Sequence, residues 1–247
     1  MKTKTLPSSF LKDVKPLPLQ GNRFLIMTDA HIPYHNKKSI EKAIQIGKER
    51  KVDSILLLGD MIDFFPISRF NKSPKNPDLQ FELNATLQFL QYLRNEFPKA
   101  TIYYKIGNHE DRLTKYINDH SELFSLDCLR LKSLLKFKDL GIRLVESNTI
   151  MRIGTLYLAH GHETKAGGIT PAKNMLNKWH CDMAFGHLHR TDEYQFRKFD
   201  GSLIKTYSIG SLCNLYPDYW QNNNWNNGCA IATRLKEGKY DFDNIRL

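Results

Sequence analysis

The sequence has 247 residues, of which 41% are hydrophobic and 25% are charged, with a formal net charge of +10. This composition supports a large buried core and excludes a chain too polar to fold. No apolar run approaches the roughly 20 residues of a membrane-spanning helix, so we expect no membrane partner. The basic excess favours either anionic partners, such as phosphates or nucleic acid, or surface solubility alone.

The first 22 residues contain four lysines and one acidic residue, and they lack the continuous apolar segment of a signal peptide. We predict a basic N-terminal leader at 1–22, followed by a single domain at 23–247. The four cysteines are widely spaced, with no CxxC pair. That spacing predicts buried thiols in a reducing cytoplasm, and neither disulfides nor a thiolate metal site.

Helices alternate with strands in the first half of the chain. Hydrophobic spacing predicts strands at 23–27, 54–58 and 101–106, with helices at 38–51 and 78–97 between them. Residues 113–137 are predicted to be mainly helical, followed by a strand within 141–147. Because the segment 112–140 lies between two polar motifs, we consider it a lid, an interface or an ordinary packing segment.

Hairpins dominate the second half. Strands are predicted at 149–154 and 155–161 around Gly154, at 193–199 and 202–209 around Asp200–Gly201, and on both sides of Glu237–Gly238. A helix is predicted at 173–179, and a polar Asn/Trp-rich loop at 220–227 serves either as an interaction loop or as a place for buried aromatic rings. The whole order predicts an α/β fold, α+β in its later half, in which two mixed sheets form a sandwich flanked by helices.

Polar motifs follow five of the predicted strands, at the point where each strand ends. They read DAH at 29–31, GDMID at 59–63, GNHE at 107–110, HGH at 160–162 and GHLH at 186–189. Open α/β sheets place their ligand sites at this position. Each motif alone is typical of a turn, but five in succession indicate a functional site. Glycines before Asp60, Asn108 and His187 allow sharp turns and close approach of the backbone.

Carboxylate, amide and imidazole groups without a thiolate suit a pair of divalent first-row metal ions. Mn²⁺ fits such ligands best here, with Fe, Zn²⁺ and Ni²⁺ as alternatives. Two such ions a few ångström apart bind a phosphoryl group and acidify a water for in-line attack. The motifs therefore indicate phosphate-ester chemistry.

The motif order DxH, GDxxD, GNHE, HGH and GHxH, running from Asp29 to His189, resembles the calcineurin-like metallophosphoesterase superfamily. The resemblance implies a two-sheet sandwich with a dinuclear metal centre at one edge. It implies seven metal ligands, namely Asp29, His31 and His189 for one ion, Asn108, His160 and His187 for the other, and Asp60 as the bridge.

The same resemblance implies roles for residues that do not bind metal. His109 would stabilise a phosphoryl oxygen or protonate the leaving group, and Asp63 would orient it by accepting its other ring proton. Glu110 is expected to brace the loop. In the HGH motif we favour His160 as the ligand, while His162 faces substrate or solvent. His35 is a further candidate near the substrate, or else a loop residue.

One departure from the superfamily concerns phosphate recognition. The protein Ser/Thr phosphatase branch has an arginine directly after GDxxD, whereas this chain has Phe64. That difference weakens a phosphoprotein phosphatase assignment. Arg112 and Arg69 are candidates to supply the missing positive charge, and each can instead be a surface or salt-bridge residue.

The leading hypothesis is a metal-dependent phosphoesterase that acts as a phosphodiesterase or nuclease on nucleic acid or nucleotides. The alternative is a phosphomonoesterase acting on a small molecule or a protein, because the catalytic motifs do not distinguish the two ester classes. A non-catalytic scaffold with the same fold is disfavoured, since the chain keeps Asp60, Asn108 and His109.

Overall fold

The structure is a computed structural model that describes residues 15–73, 76–164, 167–217 and 222–247. Within these ranges the strands form two six-stranded sheets. The strands are β1 (Leu17–Pro18), β2 (Arg23–Met27), β3 (Ser54–Leu57), β4 (Thr101–Lys105), β5 (Ile142–Val145), β6 (Met151–Ile153), β7 (Leu156–Ala159), β8 (Met183–Phe185), β9 (Asp192–Arg197), β10 (Leu203–Ser208), β11 (Gly228–Arg234) and β12 (Tyr240–Arg246). The helices are α1 (Lys37–Glu49), α2 (Leu79–Glu96), α3 (Glu110–Asp119), α4 (Leu131–Leu134) and α5 (Pro171–Trp179).

The first sheet has the order β12-β11-β2-β3-β4-β5. Its neighbours from β2 to β5 are parallel, whereas β11 pairs antiparallel with both β2 and β12. The second sheet has the order β1-β6-β7-β8-β10-β9 and also mixes parallel with antiparallel pairs. Two mixed sheets flanked by helices are the fold that the sequence predicts.

Alternate residues of β2 separate the two cores of the sandwich. Leu25 and Met27 pack in the core beneath the helices, while Phe24 and Ile26 pack in the core between the sheets. This alternation follows from the two-residue period of a strand, and both faces are apolar because both are covered. On the outer side of the second sheet, Met175 of α5 packs on Phe185 of β8.

One predicted region differs from the structure. Residues 113–137 are not mainly helical: α3 ends at Asp119, and two 3₁₀ turns and the single-turn α4 follow. Within the predicted leader at 1–22, β1 pairs with β6 and Leu19 is buried. Residues 1–14 of the predicted leader lie outside the described residues.

The segment 112–140 packs part of its apolar side chains inward, whereas Tyr116, Phe124 and Leu126 are exposed. Leu113, Ile117, Leu131, Leu135 and Phe137 are all buried in the core beneath the helices. Of the four cysteines, which were predicted to be buried, Cys213 and Cys229 are buried, Cys181 is half-buried and Cys128 is exposed. Within the described ranges, no helix combines the length and apolar character that crossing a bilayer requires.

A buried ion pair joins the end of β4 to the loop after β7 in the other sheet. The Lys105 ammonium lies 2.8 Å from the Glu163 carboxylate and donates to the carbonyls of Ile106 and Glu146 at 3.1 and 3.0 Å. Glu163 in turn accepts from the backbone N–H of Gly161 at 2.8 Å. Burial lowers the pKa of Lys105, and the Glu163 charge offsets part of that effect. The pair therefore fixes the distance between two polar loops.

We predict that Lys105→Met lowers the free energy of unfolding by about 3–5 kcal/mol, because it leaves the Glu163 carboxylate buried without its counter-charge. Denaturant unfolding measures the change. The double variant Lys105→Met/Glu163→Gln serves as the control and should recover part of the loss. Equal stability of wild type and the single variant would contradict this account of the ion pair.

Glu82 of α2 is a fully buried carboxyl group. One of its oxygens accepts from the Phe65 N–H at 3.3 Å, and the other has no hydrogen-bond donor among the described residues. Burial and the nearby Asp63 charge raise the pKa of Glu82 to about 8. The folded protein therefore holds this proton at pH values where the unfolded chain has released it.

Because the folded pKa is raised, the contribution of Glu82 to stability is present at low pH and is lost as pH rises towards about 8. We expect Glu82→Gln to remove this loss, so its Tm should exceed the wild-type Tm at pH 8–9 and approach it at pH 5. Each kcal/mol corresponds to about 2–4 °C. The exposed Glu122→Gln is the matched control; parallel pH curves for both variants and wild type would rule out a buried protonated Glu82.

Candidate metal centre

Five loops meet at one edge of the sandwich, where β2, β3, β4, β7 and β8 end. Because β2, β3 and β4 are parallel to one another in the first sheet, and β7 and β8 are parallel in the second, the carboxyl ends within each set point the same way. The five polar motifs follow these ends and meet there. Backbone hydrogen bonds link the first two loops: Asp29 N–H donates to the Gly59 carbonyl at 3.1 Å, and His31 N–H donates to the Asp60 carbonyl at 3.0 Å.

Asp29 is buried, and its two carboxylate oxygens differ in environment. Oδ2 accepts from the Thr28 hydroxyl at 2.6 Å and from the His187 N–H at 2.8 Å. Oδ1 has no hydrogen-bond donor among the described residues, although it lies 3.2 Å from His189 Nε2. A buried carboxylate oxygen without a donor is unfavourable unless a cation completes its coordination.

The two carboxylate oxygens of Asp60 also differ in environment, and its side chain lies between the two groups of imidazoles. Its Oδ1 accepts from the His109 N–H at 2.9 Å. Its Oδ2 is 3.1 Å from His160 Nε2, 3.9 Å from His109 Nε2 and 4.0 Å from His31 Nε2. One oxygen is thus anchored to the chain, and the other faces the centre of the site.

The histidine rings are held so that Nε2 points inward. His160 Nδ1 is 2.8 Å from the Leu58 carbonyl and His31 Nδ1 is 2.9 Å from Asp63 Oδ1. His189 Nδ1 is 3.7 Å from the Cys213 thiol. A hydrogen bond at one ring nitrogen fixes the orientation of the other, as in protein metal sites.

Among the described residues, three groups of side chains place possible metal-binding atoms within 4.8 Å of one another. Two of them contain predicted ligands only: Asp29, His31 and His189, and Asp60, His160 and His187. The third joins His31 to the predicted catalytic pair Asp63 and His109. Asn108 Oδ1 adds an amide oxygen 3.2 Å from His160 Nε2. The mixed oxygen and nitrogen donors, together with the unpaired Oδ1 of Asp29, suit first-row metal ions.

The charges of the site perturb its imidazoles in opposite directions. Burial lowers the pKa of His160 and His189, but the adjacent Asp60 and Asp29 outweigh it and raise both pKa values to about 10. Burial and repulsion from His160 instead lower the pKa of His187 to about 4. In the absence of a cation the two carboxylates therefore hold protons on two imidazoles, and a bound metal would replace those protons.

The backbone of the site is strained. Asp29, His31, Asp60, His187 and His189 all have positive φ, between 48° and 69°. Left-handed backbone at non-glycine residues costs of the order of 1–3 kcal/mol each and is concentrated at functional sites. Five of the seven predicted metal ligands share this conformation.

Glycines let the backbone approach the carboxylates closely. A Cβ atom on Gly107 would lie 2.2 Å from Asp60 Oδ1, and one on Gly186 would lie 2.6 Å from Asp29 Oδ2. Neither distance is compatible with a side chain. These two positions therefore require glycine because of the ligand beside them.

His109 lies next to the ligand clusters, between an acid and a base. Its Nδ1 is 2.9 Å from Asp63 Oδ1, which is the contact that the predicted orienting role requires. Its Nε2 is 3.1 Å from Arg112 Nη2, and Arg112 Nη1 donates to the Asp63 carbonyl at 2.8 Å. Asp63 Oδ1 also contacts His31 Nδ1, so one carboxylate serves a predicted ligand and a predicted catalytic residue.

The other predicted substrate residues lie at different distances from this centre. The His162 ring is 5.4 Å from the His160 ring, and its Nε2 is 3.4 Å from the Ser147 hydroxyl. His35 forms an isolated bridge with Cys213. Arg69 is exposed on the loop before α2. Arg112 is the only member of this predicted group for which the described contacts include His109.

Glu110 is buried and braces the loops. Its carboxylate accepts from the backbone N–H groups of Asp60, Met61 and Gly107 at 2.9, 2.7 and 2.8 Å, and from the Tyr104 hydroxyl at 2.8 Å. It therefore ties the GDMID loop to the GNHE loop.

Several residues of the site could not be found from motifs. Cys213 contacts His189, and the Trp225 ring lies 4.2 Å from the His189 ring. Asn226 N–H donates to the His189 carbonyl at 2.9 Å. The described part of the Asn/Trp-rich loop is thus a wall of the site; Trp220 of the predicted interaction loop lies outside the described residues.

We predict that Gly107→Ala weakens metal binding at least tenfold, because its Cβ displaces the Asp60 side chain. Equilibrium dialysis with Mn²⁺, followed by elemental analysis, measures the two affinities. Gly167→Ala is the control, since a Cβ there meets no atom within 4 Å. Wild-type affinity in Gly107→Ala would contradict the packing account.

Two phage proteins are similar to this chain in sequence. Gene 54 proteins of Mycobacterium phages L5 and D29 are each 22% identical to this chain over 235 residues, covering 86% of it and 89% of the phage protein.

Among solved structures, a dimetal phosphatase from Danio rerio matches with a TM-score of 0.47 at 10% identity, covering 94% of this chain and 96% of its own. The E. coli phosphoesterase YfcE matches with a TM-score of 0.41 at 14% identity, covering 90% and 99%. Vacuolar Protein Sorting 29 from Cryptosporidium parvum gives a TM-score of 0.43 at 15% identity, covering 92% and 98%.

The sequence model of the calcineurin-like phosphoesterases matches residues 22–203, which is well over half of the chain and includes all five motifs. This protein therefore belongs to the calcineurin-like phosphoesterase family.

Proposed function

We propose that this protein is a dinuclear-metal-dependent phosphodiesterase that cleaves nucleic acid or nucleotides. The observation that carries the proposal is the pair of buried carboxylates, Asp29 and Asp60, each anchored through one oxygen and facing imidazoles through the other. That arrangement supports two adjacent cation sites, with Asp60 between them. The burial of both carboxylates against a group of imidazoles favours cation binding over a purely structural role.

Seven side chains would hold the two ions. Asp29, His31 and His189 would hold one ion, Asn108, His160 and His187 the other, and Asp60 both. Such ions, of which Mn²⁺ suits the donors best, would polarise the phosphoryl group and acidify an attacking water.

His109 has the position of a proton donor to the leaving group. Asp63 accepts at Nδ1, which leaves Nε2 directed towards the side of Asp60 that faces the centre. Burial lowers the pKa of His109, but the charges of Asp60 and Asp63 raise it above its usual value, which favours the protonated ring. Arg112 Nη2 lies 3.1 Å from Nε2 and can only donate a hydrogen bond. In the proposed mechanism this guanidinium turns to the phosphate when substrate binds, which leaves Nε2 free to carry a proton for the leaving oxygen.

Arg112 would bind a non-bridging phosphate oxygen. Its guanidinium donates to the Asp63 carbonyl and lies beside His109. The residue directly after the GDMID motif, which is an arginine in the protein Ser/Thr phosphatases, is the buried Phe64 in this chain. A planar guanidinium suits bidentate binding of phosphate. The net charge of +10 further supports an extended anionic substrate over a compact one.

We expect His109→Ala to retain both metal ions while kcat falls by about 10²–10⁴, since it removes proton transfer and leaves the ligands in place. Asp60→Asn should instead reduce the metal content. Elemental analysis and hydrolysis of bis(p-nitrophenyl) phosphate in Mn²⁺ distinguish the two losses. His120→Ala, beyond the end of the same helix, is the control.

The same assay tests the ester class. The proposal predicts a higher kcat/KM for bis(p-nitrophenyl) phosphate than for p-nitrophenyl phosphate. A wild-type protein that binds far fewer than two ions and hydrolyses neither ester would refute the metal-dependent activity, whereas a preference for the monoester would refute the phosphodiesterase assignment alone.

A further inference from the structure

A groove of about 490 Å³, open to solvent, is lined by residues 33–38 and Asn214. We call it the α1 groove, because it runs to the first turn of α1. Its volume lies within the range of about 300–1,000 Å³ typical of small-molecule sites. None of the roles assigned above, apart from the predicted proximity of His35 to substrate, uses these residues.

Both walls of the α1 groove continue into the candidate metal centre. On one side, Tyr34 N–H donates to the carbonyl of His31 at 2.7 Å. On the other, Asn214 N–H donates to the Tyr34 carbonyl at 2.7 Å, and Asn214 directly follows Cys213, which contacts His189. The groove therefore begins beside the group formed by Asp29, His31 and His189.

The charge of the α1 groove is positive. Lys37 and Lys38 are exposed, and the lining residues, all in the described part of the chain, include no Asp or Glu. The first turn of α1 also contains no acidic residue. Two adjacent ammonium groups at this position favour phosphate groups that continue beyond the one at the metal centre.

Tyr34 supplies an aromatic face in the same groove. Its side chain is 38% exposed, although it lines a concave surface three residues after His31. Exposed aromatic rings beside a basic groove are the surfaces on which unpaired bases stack. A base can pack on Tyr34 while the adjacent phosphates contact Lys37 and Lys38.

We propose that the α1 groove binds single-stranded nucleic acid next to the phosphodiester that is cleaved. This inference rests on the proposed function and adds the part of the substrate that the metal centre does not contact. The single strand follows from Tyr34, because stacking on its ring requires an unpaired base.

The test uses fluorescence anisotropy of a labelled oligo(dT) of about 12 nucleotides, within the site sizes of single-strand binders. Binding is measured on the intact chain carrying His109→Ala, so that the oligonucleotide is not cut. Adding Lys37→Glu/Lys38→Glu should weaken binding at least tenfold and reduce the salt slope of log K by about 1.4, for two lost phosphate contacts. Tyr34→Ala should weaken it about tenfold, and Tyr34→Phe much less.

Lys236→Glu/Lys239→Glu is the matched control, because it makes the same change in charge. These exposed lysines follow β11, which runs antiparallel to β2, so they lie at the opposite edge of the sheet. Metal content and thermal melting show whether each variant is folded. Unchanged oligonucleotide binding in Lys37→Glu/Lys38→Glu, or an equal loss in the control pair, would overturn the proposal.

Two further outcomes are decisive. In the chain with His109 intact, the ratio of kcat/KM for the oligonucleotide to that for bis(p-nitrophenyl) phosphate should fall at least tenfold in Lys37→Glu/Lys38→Glu. A duplex that binds as tightly as the single strand, through the same lysines, would overturn the single-strand assignment. Bis(p-nitrophenyl) phosphate is too small to reach the α1 groove, so its hydrolysis measures the metal centre alone. If wild type does not hydrolyse it, the proposed function is wrong, whereas the oligonucleotide-binding measurements still test the groove.

Discussion

The candidate site depends on two buried carboxylates, Asp29 and Asp60, that the chain satisfies on one side only. Each has one oxygen held by short hydrogen bonds from neighbouring loops, which fixes the direction of the other oxygen. Burying two negative charges is costly, and attraction to His160 and His189 offsets the cost by keeping those imidazoles protonated when no cation is bound. In the proposed function, the same geometry directs the second oxygen of each carboxylate towards the inferred imidazole ligands.

Such a site needs a rigid support, because five of its predicted ligands have left-handed backbone. The support comes from the loops themselves. Glu110 accepts hydrogen bonds from four backbone N–H groups across the GDMID and GNHE loops. The ion pair between Lys105 and Glu163 joins the GNHE side to the HGH side. Glu110 and Lys105 are buried and do not face the centre of the site, and their contacts stabilise the strained backbone of the loops.

Sequence reasoning predicted the part of this structure that local patterns determine. Short apolar runs such as 23–27 and 54–57 favour strands that are covered on both faces, and the polar motifs follow their ends. Both the fold and the groups that meet at its edge could therefore be predicted. The secondary structure of residues 113–137 was harder to predict, because the same apolar spacing fits single turns as well as one long helix. Cys213 and Trp225 carry no motif at all, because tertiary packing alone brings them to His189.

Asn227 explains why the α1 groove and the metal centre belong to one unit. Its side-chain oxygen accepts from Asn36 at 2.9 Å and from Ser39 at 3.0 Å, at the start of α1. Its side-chain nitrogen donates to the carbonyls of Ser211 and Cys213 at 3.1 and 2.8 Å. A buried amide that uses both donors and accepts twice has one favourable orientation, so it fixes the first turn of α1 relative to the segment that contacts His189. The backbone that carries Lys37 and Lys38 is therefore fixed relative to the candidate metal centre, which is the arrangement that the proposed binding of successive phosphates on one strand requires.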